Sequence, residues 1–336
     1  MDPKYPLIRT SERGAFKRCR QKWWWSHVEE LQPKRMTRPA LIFGDIFHQA
    51  LAAYYKPGRK RGPHPAKTFE KLYIRHLDLH GPIKIRDMDD EDERRDLGEL
   101  GISVCRAYID HYGEDEDINI IYPEFPFKTL LRDSGGKRFW YVGRMDALFE
   151  WTLTGEKGLF EHKSGSEDLK PHVQLDEQGG SYWAFAPRFL RKLGIMAEGE
   201  ELDIILYNFA RKTKGDDRPE NELGQKLNLD GSVSKRQPPT QFERIPVYRD
   251  HGDMITTRQR IKDEAMEIRM VREGVLPVYK NPTKNCSWDC VFKEMCELHE
   301  TGADFEAYKE QIYKVGDQYA IYRADLFPNK KGGKDG

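Results

Sequence analysis

Three charged residues, Asp146, Glu161 and Lys163, lie on two predicted strands that a short turn joins. The first strand is FWYVGRMDALFEW, and the second, GLFEHKS, follows a turn that contains Gly155. Because side chains alternate along a strand, Glu161 and Lys163 share one face and His162 points to the other. An Asp and a Glu brought together across this hairpin would make an oxygen-only site that suits Mg²⁺ or Mn²⁺, and the Lys could hold a water or stabilise negative charge. The alternative is a solvated hairpin face, since all three residue types are common on surfaces.

Two predicted helices, one before the hairpin and one after it, carry polar residues that could complete such a site. Residues 40–55 are strongly apolar and place His48 on a helix. A lone His on an apolar helix is usually a core residue, and it becomes a candidate ligand if the carboxylates lie opposite. The second helix begins at about residue 176, and its Gln178 and Tyr182 share a face because they are four residues apart.

The remaining segments give further strands and helices and two polar regions. Strands are predicted at 118–128, where Glu124 stands beside two prolines, at 202–211 and in TQFERIPVYR. Helices are predicted within 7–31 with Thr10 or Ser11 as the N-cap, at 66–80, 91–112 and 253–273, and over about 303–324. Residues 212–240 lack apolar periodicity and are predicted to be a flexible insertion, and 326–336 to be a disordered tail.

Three of the five cysteines form a C-x3-C-x5-C pattern near the C-terminus. Such a cluster in a chain that looks intracellular favours metal over disulfides. Three thiolates need a fourth ligand for either Zn²⁺ or a cubane iron–sulfur cluster, and from spacing alone zinc is the default. The cluster residues are Cys286, Cys290 and Cys296, and the candidates for the fourth position are Cys19, Cys105 and His299. Three buried cysteines without metal are the alternative.

Charge and hydropathy exclude some classes of protein. Lys and Arg together number 56, as do Asp and Glu, so nucleic-acid binding would need a local basic patch. Two such patches are candidates for DNA binding: Arg18, Arg20 and Lys22, beside three tryptophans, and the loop residues Arg59, Lys60 and Arg61. The alternatives are tryptophans in the core coated by cations, and a solvated linker. No apolar run is long enough to cross a membrane, and the N-terminus lacks the apolar core of a signal peptide, so a cytoplasmic protein is expected.

Taken in order, these motifs resemble those of the PD-(D/E)XK nuclease superfamily. They look most like its RecB-type branch with an iron–sulfur cluster, which includes AddB nuclease domains and CRISPR-associated four-cysteine exonucleases, and similar proteins occur in phage genomes. The matching motifs are G-x-x-x-H at Gly44–His48, G-x-x-D at Gly143–Asp146, E-x-K at Glu161–Lys163 and Q-x-x-x-Y at Gln178–Tyr182. The resemblance covers about residues 10–300.

The resemblance implies a fold and a domain organisation. The fold is α/β with a restriction-endonuclease-like core, in which helices flank a central mixed sheet and a metal cluster joins the N- and C-terminal segments. A single nuclease domain would span residues 1–325, with a core at about 40–250 and cluster-bearing ends at 10–30 and 280–300.

The resemblance also implies roles for individual residues. Mg²⁺ or Mn²⁺ would be held by His48, Asp146, Glu161 and the backbone carbonyl of His162, with Glu124 as a further candidate. Lys163 would orient the attacking water, and Gln178 and Tyr182 would hold Lys163 or the phosphate. A structural 4Fe–4S cluster would be held by Cys19, Cys286, Cys290 and Cys296, with structural Zn²⁺ as the alternative.

The function implied by the resemblance is a metal-dependent DNA exonuclease in phage-type recombination, repair or replication. Its substrate would be single- or double-stranded DNA ends, and a single-strand annealing or recombination protein is a candidate partner. Two alternatives stay open: a structure-specific endonuclease of the same fold, and a non-catalytic DNA-binding or assembly module.

Overall fold

The computed structural model describes residues 4–34, 39–81, 97–165, 170–213, 215–216 and 218–328. The strands are β1 (Leu7–Ile8), β2 (Leu31–Pro33), β3 (Ile118–Arg132), β4 (Arg138–Trp151), β5 (Lys157–Gly165), β6 (Ile204–Arg211), β7 (Phe242–Val247) and β8 (Tyr313–Val315). The helices are α1 (Thr10–Arg18), α2 (Arg20–Trp23), α3 (Pro39–Tyr54), α4 (Pro65–His80), α5 (Leu97–Tyr112), α6 (Glu177–Lys192), α7 (His251–Arg272), α8 (Cys286–Asp289), α9 (Lys293–Thr301), α10 (Phe305–Ile312) and α11 (Ala320–Leu326).

A mixed sheet of six strands forms the centre of the molecule. Its order is β1-β4-β5-β6-β7, and β3 pairs with the other edge of β4 along almost its whole length. The pairs β3–β4, β4–β5 and β6–β7 are antiparallel, whereas β5–β6 and β1–β4 are parallel. The connection from β5 to the parallel β6 contains α6, as expected because parallel neighbours need a crossover.

Both faces of the sheet are covered by helices. Helices α3, α4 and α5 pack on one face, and α1, α6 and α7 pack on the other. The central strands are apolar on both sides: Leu159 of β5 points to the α6 face, and its neighbour Phe160 points to the α3 face. Continuous apolar runs of this kind are typical of strands buried on both faces. The expectation of an α/β fold with a helix-flanked mixed sheet is therefore confirmed.

The N-terminal helix is interrupted, and its cap differs from the prediction. The N-cap is Arg9, which makes no side-chain cap bond, rather than Thr10 or Ser11. The Thr10 hydroxyl lies instead 2.7 Å from the Tyr141 hydroxyl, so a tertiary contact uses the group that would have capped the helix. Cys19 has extended backbone and separates α1 from α2, and a π-helical turn follows at Trp24–Val28.

The C-terminal region forms two helices where one was predicted. Between α10 and α11, the strand β8 pairs antiparallel with β2 of the N-terminal region. This pairing uses backbone N–H and C=O groups that a continuous helix would need for its own hydrogen bonds. Helix α11 ends at Leu326, which is buried with Tyr322 against Val142 of the sheet, and the predicted tail beyond residue 328 lies outside the described residues.

The polar segment between β6 and β7 makes many hydrogen bonds of its own. At its base, the Lys212 N–H donates to the Gly165 carbonyl at 2.8 Å, next to the end of β5. Farther along, the Lys226 amine donates to the Arg218 carbonyl at 3.1 Å, and the Gln237 amide donates to the Ser234 carbonyl at 2.6 Å. The flexibility of this segment stays a prediction. Within the described ranges, no helix is both long and apolar enough to cross a membrane.

Candidate active site

The hairpin of β4 and β5 places Asp146 opposite Glu161. Ala147 pairs with Phe160 in this antiparallel ladder. One step farther along the ladder, Asp146 therefore faces Glu161. One oxygen of Asp146, Oδ2, accepts a hydrogen bond from the His162 backbone N–H at 2.8 Å. The sheet register therefore brings the two carboxylates together.

Helix α3 brings His48 to the same carboxylate. Its Nδ1 lies 3.3 Å from Oδ2 of Asp146. One turn earlier, a Cβ on Gly44 would lie 3.5 Å from the Ser164 hydroxyl, so a small residue there lets the helix approach the end of β5. The structure thus places His48 at the hairpin rather than in the apolar core.

On the α6 face, Lys163 lies between a carboxylate and an amide. Its amine donates to Oε1 of Glu161 at 2.8 Å and to Oε1 of Gln178 at 3.2 Å. Glu161 is almost fully buried, with 1% of its surface exposed. The ammonium group is therefore held in one position by two partners, as a group that stabilises charge on a reacting phosphate must be.

The electrostatics of the two carboxylates differ. Burial and the nearby Asp146 charge raise the pKa of Glu161, although Lys163 acts in the opposite direction. Burial would also raise the pKa of Asp146, but His48, together with His162 and Lys163, acts in the opposite direction and the net shift is downward. Two buried carboxylates cannot both ionise cheaply without a compensating positive charge. A divalent cation supplies such a charge, so the donor set fits one.

Glu124 lies on β3 beside these groups and has an unusual backbone conformation. It stands between the residues that pair with Ala147 and Met145, and its backbone is left-handed with φ of 45°. Burial and the Asp146 charge raise the pKa of Glu124 to about 7. A non-glycine residue in this conformation costs energy, and such strain is often found at functional sites.

The side chains do not by themselves form a closed metal cage. Among the residues that the structure describes, no group of three or more His, Cys, Asp or Glu side chains is arranged to hold a metal ion. The Asp146 oxygen is directed at His48 and the His162 N–H, and Glu161 is directed at Lys163. These donors would have to turn toward a shared cation, so metal binding by this set stays a prediction.

The start of α6 is fixed by a carboxylate. Asp176 is the N-cap, and its Oδ2 accepts hydrogen bonds from the Gly179 N–H and the Tyr207 hydroxyl, each at 2.9 Å. Capping satisfies a backbone donor of the first turn, and the Tyr207 bond ties that turn to β6. Gln178 is therefore held at the level of Lys163.

Tyr182 lies one turn farther along α6, against the sheet. A Cβ at Gly143 would come within 2.5 Å of its ring, so only glycine leaves room for the tyrosine there. Its ring packs edge-on against Phe127 at 5.3 Å, and it is 6% exposed. The glycine of the G-x-x-D motif thus has a packing reason.

Sequence reasoning missed a polar group behind the hairpin. Asn208 of β6 is fully buried, and its side chain lies 2.9 Å from Nδ1 of His162. Arg244 of β7 donates to Asn208 and forms an ion pair with Asp115. The available signal was an asparagine inside the otherwise apolar strand LDIILYNFAR, because a buried polar group needs a partner.

The four cysteines of the predicted cluster line one cavity of about 640 Å³. They are Cys19, Cys286, Cys290 and Cys296, and all carry free thiols. Backbone N–H groups of Asn281 and Thr283 donate to the sulfurs of Cys19 and Cys286, each at 3.4 Å. The structure therefore brings together thiols from the two ends of the chain.

The other candidates for the fourth ligand are packed elsewhere. His299 lies against the rings of Trp25, at 6.0 Å, and Phe305, at 4.9 Å. Cys105 lies on the buried face of α5, and burial raises the pKa of its thiol to about 12. Trp23 and Trp25 are also buried, which favours the alternative that the tryptophans belong to the core.

The cations predicted to bind DNA are placed differently from one another. Arg61 donates to the carbonyls of residues 114, 115 and 118, and Arg59 donates to that of residue 116. Arg20 bonds to Glu267 and stacks on Tyr279, and Arg18 pairs with Asp289. Lys60 is exposed, and Lys22 lines the cysteine cavity. DNA binding by this set stays a prediction.

Comparison with known proteins identifies the family to which the chain belongs. The family model for the PD-(D/E)XK nuclease superfamily matches residues 11–297. No curated protein matches the chain. A solved structure from Eubacterium rectale, titled "Putative exonuclease", is similar over 85% of this chain and 93% of its own, with a TM-score of 0.43 and 10% identity. Since the family match spans well over half of the sequence, the chain belongs to the PD-(D/E)XK nuclease superfamily.

Proposed function

We propose that this nuclease is a metal-dependent deoxyribonuclease that hydrolyses phosphodiester bonds at DNA ends. The observation that carries the proposal is the meeting of His48, Asp146, Glu161, Lys163 and Gln178 at the β4–β5 hairpin. These groups include oxygen ligands for a hard cation and a fixed ammonium group, which are the parts that phosphodiester hydrolysis needs.

The metal would be held by His48, Asp146, Glu161 and the backbone carbonyl of His162, with Glu124 as a further candidate. When bound, a divalent cation polarises the phosphate and lowers the pKa of a coordinated water. Magnesium and manganese both prefer such oxygen ligands, and the imidazole favours manganese somewhat.

The chain's own residues would position the reacting groups. Lys163, held by Glu161 and Gln178, orients the attacking water and stabilises the negative charge of the phosphate. Tyr182, on the same helix as Gln178, helps to fix Lys163 or the phosphate. Burial around Glu161 excludes water and strengthens these charge interactions.

A 4Fe–4S cluster held by the four cysteines would join the chain ends. Four thiols line one cavity, which is the number of ligands that such a cluster needs, and backbone N–H donors beside two sulfurs are the kind of hydrogen bond that tunes such clusters. Within the described residues these thiols are not arranged around a metal, so they would have to turn toward it. Structural Zn²⁺ is the alternative, since four thiolates suit it as well. Either metal would tie the N-terminal α1–α2 region to the segment after α7.

Action at DNA ends is the part of the proposal that this link motivates. If the link also shaped a tunnel leading to the hairpin, a DNA end would enter it more easily than a closed circle. We assign the enzyme to phage-type recombination, repair or replication in the cytoplasm of the cell, with a single-strand annealing or recombination protein as candidate partner. These assignments rest on the likeness to the RecB-type branch.

The test uses protein purified without oxygen and incubated with Mg²⁺ or Mn²⁺. Substrates are end-labelled linear DNA, single- and double-stranded, beside a closed circle. The Lys163→Ala variant removes the fixed ammonium group. The matched control is Lys157→Ala, because Lys157 lies at the other end of the same strand and pairs with Glu200 at 2.6 Å.

The expected result is short products from linear DNA only, lost in Lys163→Ala and kept in Lys157→Ala. Cleavage of the circle would replace the exonuclease with an endonuclease of the same fold. Absence of cutting by the unmodified protein, with its metal content confirmed, would favour a DNA-binding module.

A further inference from the structure

The His162 side chain lies inside the E-x-K motif but on the opposite side of β5 from Glu161 and Lys163, where its ring centroid is 6.0 Å from that of His48. Its ring is 2% exposed and packs between Phe160 and Tyr55, whose ring centroids are 4.6 Å and 5.7 Å away. The proposed mechanism uses only the backbone of this residue: its N–H, which binds Asp146, and its carbonyl. The buried polar ring of His162, whose backbone N–H and carbonyl are both used, therefore has no assigned role.

The ring is held by a directed hydrogen bond. Asn208 lies with its Nδ2 at 2.9 Å from Nδ1 of His162. The other end of the amide, Oδ1, accepts from Nε of Arg244 at 3.3 Å. Because an arginine only donates, the amide oxygen must face Arg244 and the amide N–H must face the histidine. Nδ1 of His162 is then an acceptor, and the ring proton sits on Nε2.

Arg244 is itself fixed, so the orientation of Asn208 is not free to reverse. Its guanidinium donates to both oxygens of Asp115, at 2.6 Å and 2.8 Å, in a bidentate pair. It also donates to the hydroxyls of Tyr55 and Tyr108, at 3.0 Å and 3.1 Å. A bidentate pair gives geometric specificity as well as energy. Asp115 has left-handed backbone, with φ of 49°, so the chain accepts strain to put the carboxylate there.

We propose that Asp115, Arg244 and Asn208 act as a positioning relay that locks the His162 ring in its Nε2–H form and thereby fixes the backbone of residue 162. The relay connects the loop after α5 with β7, β6 and β5 in that order. Its effect on catalysis rests on the function proposed above, whereas the state of the ring does not.

The relay is expected to fix the positions of Glu161 and Lys163, the residues on either side of His162. If the ring is held, the strand cannot rotate about residue 162, so Glu161 and Lys163 stay on the α6 face and the N–H stays on Asp146. Hydrogen-bonded partners behind a metal or catalytic group typically contribute about 10- to 100-fold in metal affinity or activity. Loss of the relay should therefore lower turnover and weaken the response to metal without weakening DNA binding.

The first test reads the ring directly. Nitrogen-15 spectra of histidine-labelled protein distinguish a protonated from an unprotonated Nδ1, and the His162→Phe variant assigns the signal. We expect His162 to carry its proton on Nε2 in the unmodified protein. In Asn208→Asp, which keeps the shape and the Arg244 contact, a carboxylate oxygen replaces the donor, and Nδ1 should become protonated. A protonated Nδ1 in the unmodified protein would overturn the proposal.

The second test measures cleavage and stability together in Asn208→Leu, which breaks both bonds of the amide. We expect kcat to fall about 10- to 100-fold, KM for DNA to stay the same, and the Mn²⁺ concentration for half-maximal rate to rise. Thr129→Val is the matched control. It removes a buried hydrogen bond, from the Thr129 hydroxyl to the Phe185 carbonyl at 3.2 Å, elsewhere in the same sheet.

Two outcomes separate positioning from mere stabilisation. If Asn208→Leu and Thr129→Val lower Tm alike but only the former loses kcat, the relay acts on the site. Equal kcat in both variants would overturn the proposal, and so would an unaltered kcat in Asn208→Leu. A wild-type protein that cuts no DNA would count against the proposed function instead, and the nitrogen spectra would still decide the state of His162.

Discussion

The hairpin site and the cysteine cavity are assembled in opposite ways. The residues of the hairpin site, apart from His48 and Glu124, lie between Asp146 and Tyr182, on two paired strands and the next helix. The cysteines come from residue 19 and from residues 286–296, and they meet only because α1 and α2 pack beside the segment after α7. The register of β4 and β5 assembles the hairpin site. The cysteine cavity forms only when segments from the two ends of the chain pack together.

The two sites also differ in burial and in partners. Asp146 and Glu161 are buried, and each is hydrogen-bonded to a group of the hairpin or its helices. The four cysteines are half-exposed around an open cavity. Under the proposed function, the hairpin carries out the chemistry and a metal in the cavity joins the two ends of the chain. Changes at the hairpin should then affect activity, and changes at the cavity should affect stability.

Asp146→Asn is expected to produce the largest effect. It removes the charge that faces His48 and would hold the cation, so cleavage should fall by at least about 10²–10³-fold. Tm should change little, because loss of the contact with His48 is offset by relief of the repulsion between Asp146 and Glu161. DNA-cleavage rates, thermal melts and the visible spectrum of the cluster check this. Retained metal-dependent cleavage would contradict the site assignment.

Cys290→Ser tests the other side of the comparison. A lost metal ligand should remove the metal and its colour, and the freed chain ends should lower Tm by roughly 5–10 °C. The control is Cys105→Ala, since Cys105 is buried in the core away from the cavity. The control should keep the metal. If Cys290→Ser kept both metal and Tm while losing cleavage, the cavity would belong to the catalytic site.

Gly143→Ala probes the packing that connects sheet and helix at the hairpin. The added methyl group would collide with Tyr182 and Phe127, and overpacking of this kind costs about 1–3 kcal/mol. A lower Tm and a moderate loss of kcat are expected, because Tyr182 moves with α6. Gly14→Ala in α1 is the control: nothing lies within 4 Å of a Cβ there, so it should be neutral or stabilising. Equal Tm values for the two variants would show that Tyr182 can give way.

The segment 212–240 should give the smallest effect. Those of its residues that the structure describes lie outside the clusters that pack on the two faces of the sheet, so a cut in it should leave the fold intact. Limited trypsin digestion followed by mass spectrometry should find the first cuts at exposed sites such as Lys235 and Arg236. First cuts within the hairpin instead would mean that the segment is as firmly held as the core.

Much of the fold and of the hairpin site was predictable because local rules govern them. Strand alternation placed Glu161 and Lys163 on the same face of β5, and helical spacing placed Gln178 and Tyr182 on the same face of α6. The bounds of β4, α4, α6 and α7 fall within a few residues of the predicted ones. The predictions that failed, the Thr10 or Ser11 cap and the single helix over 303–324, failed where a distant part of the chain used the same groups.

The sequence by itself determined which residues could do chemistry and which strands and helices carry them. Reactivity depends on residue type, and strands and helices are recognised by apolar residues that recur every two or every three to four positions. Only the tertiary structure decided that His48 reaches Asp146, that Cys19 joins the other three cysteines, and that Asn208 and Arg244 hold His162. These contacts join residues far apart in the chain. No local preference specifies them, because they form only when burial of both faces of the sheet fixes how the helices pack.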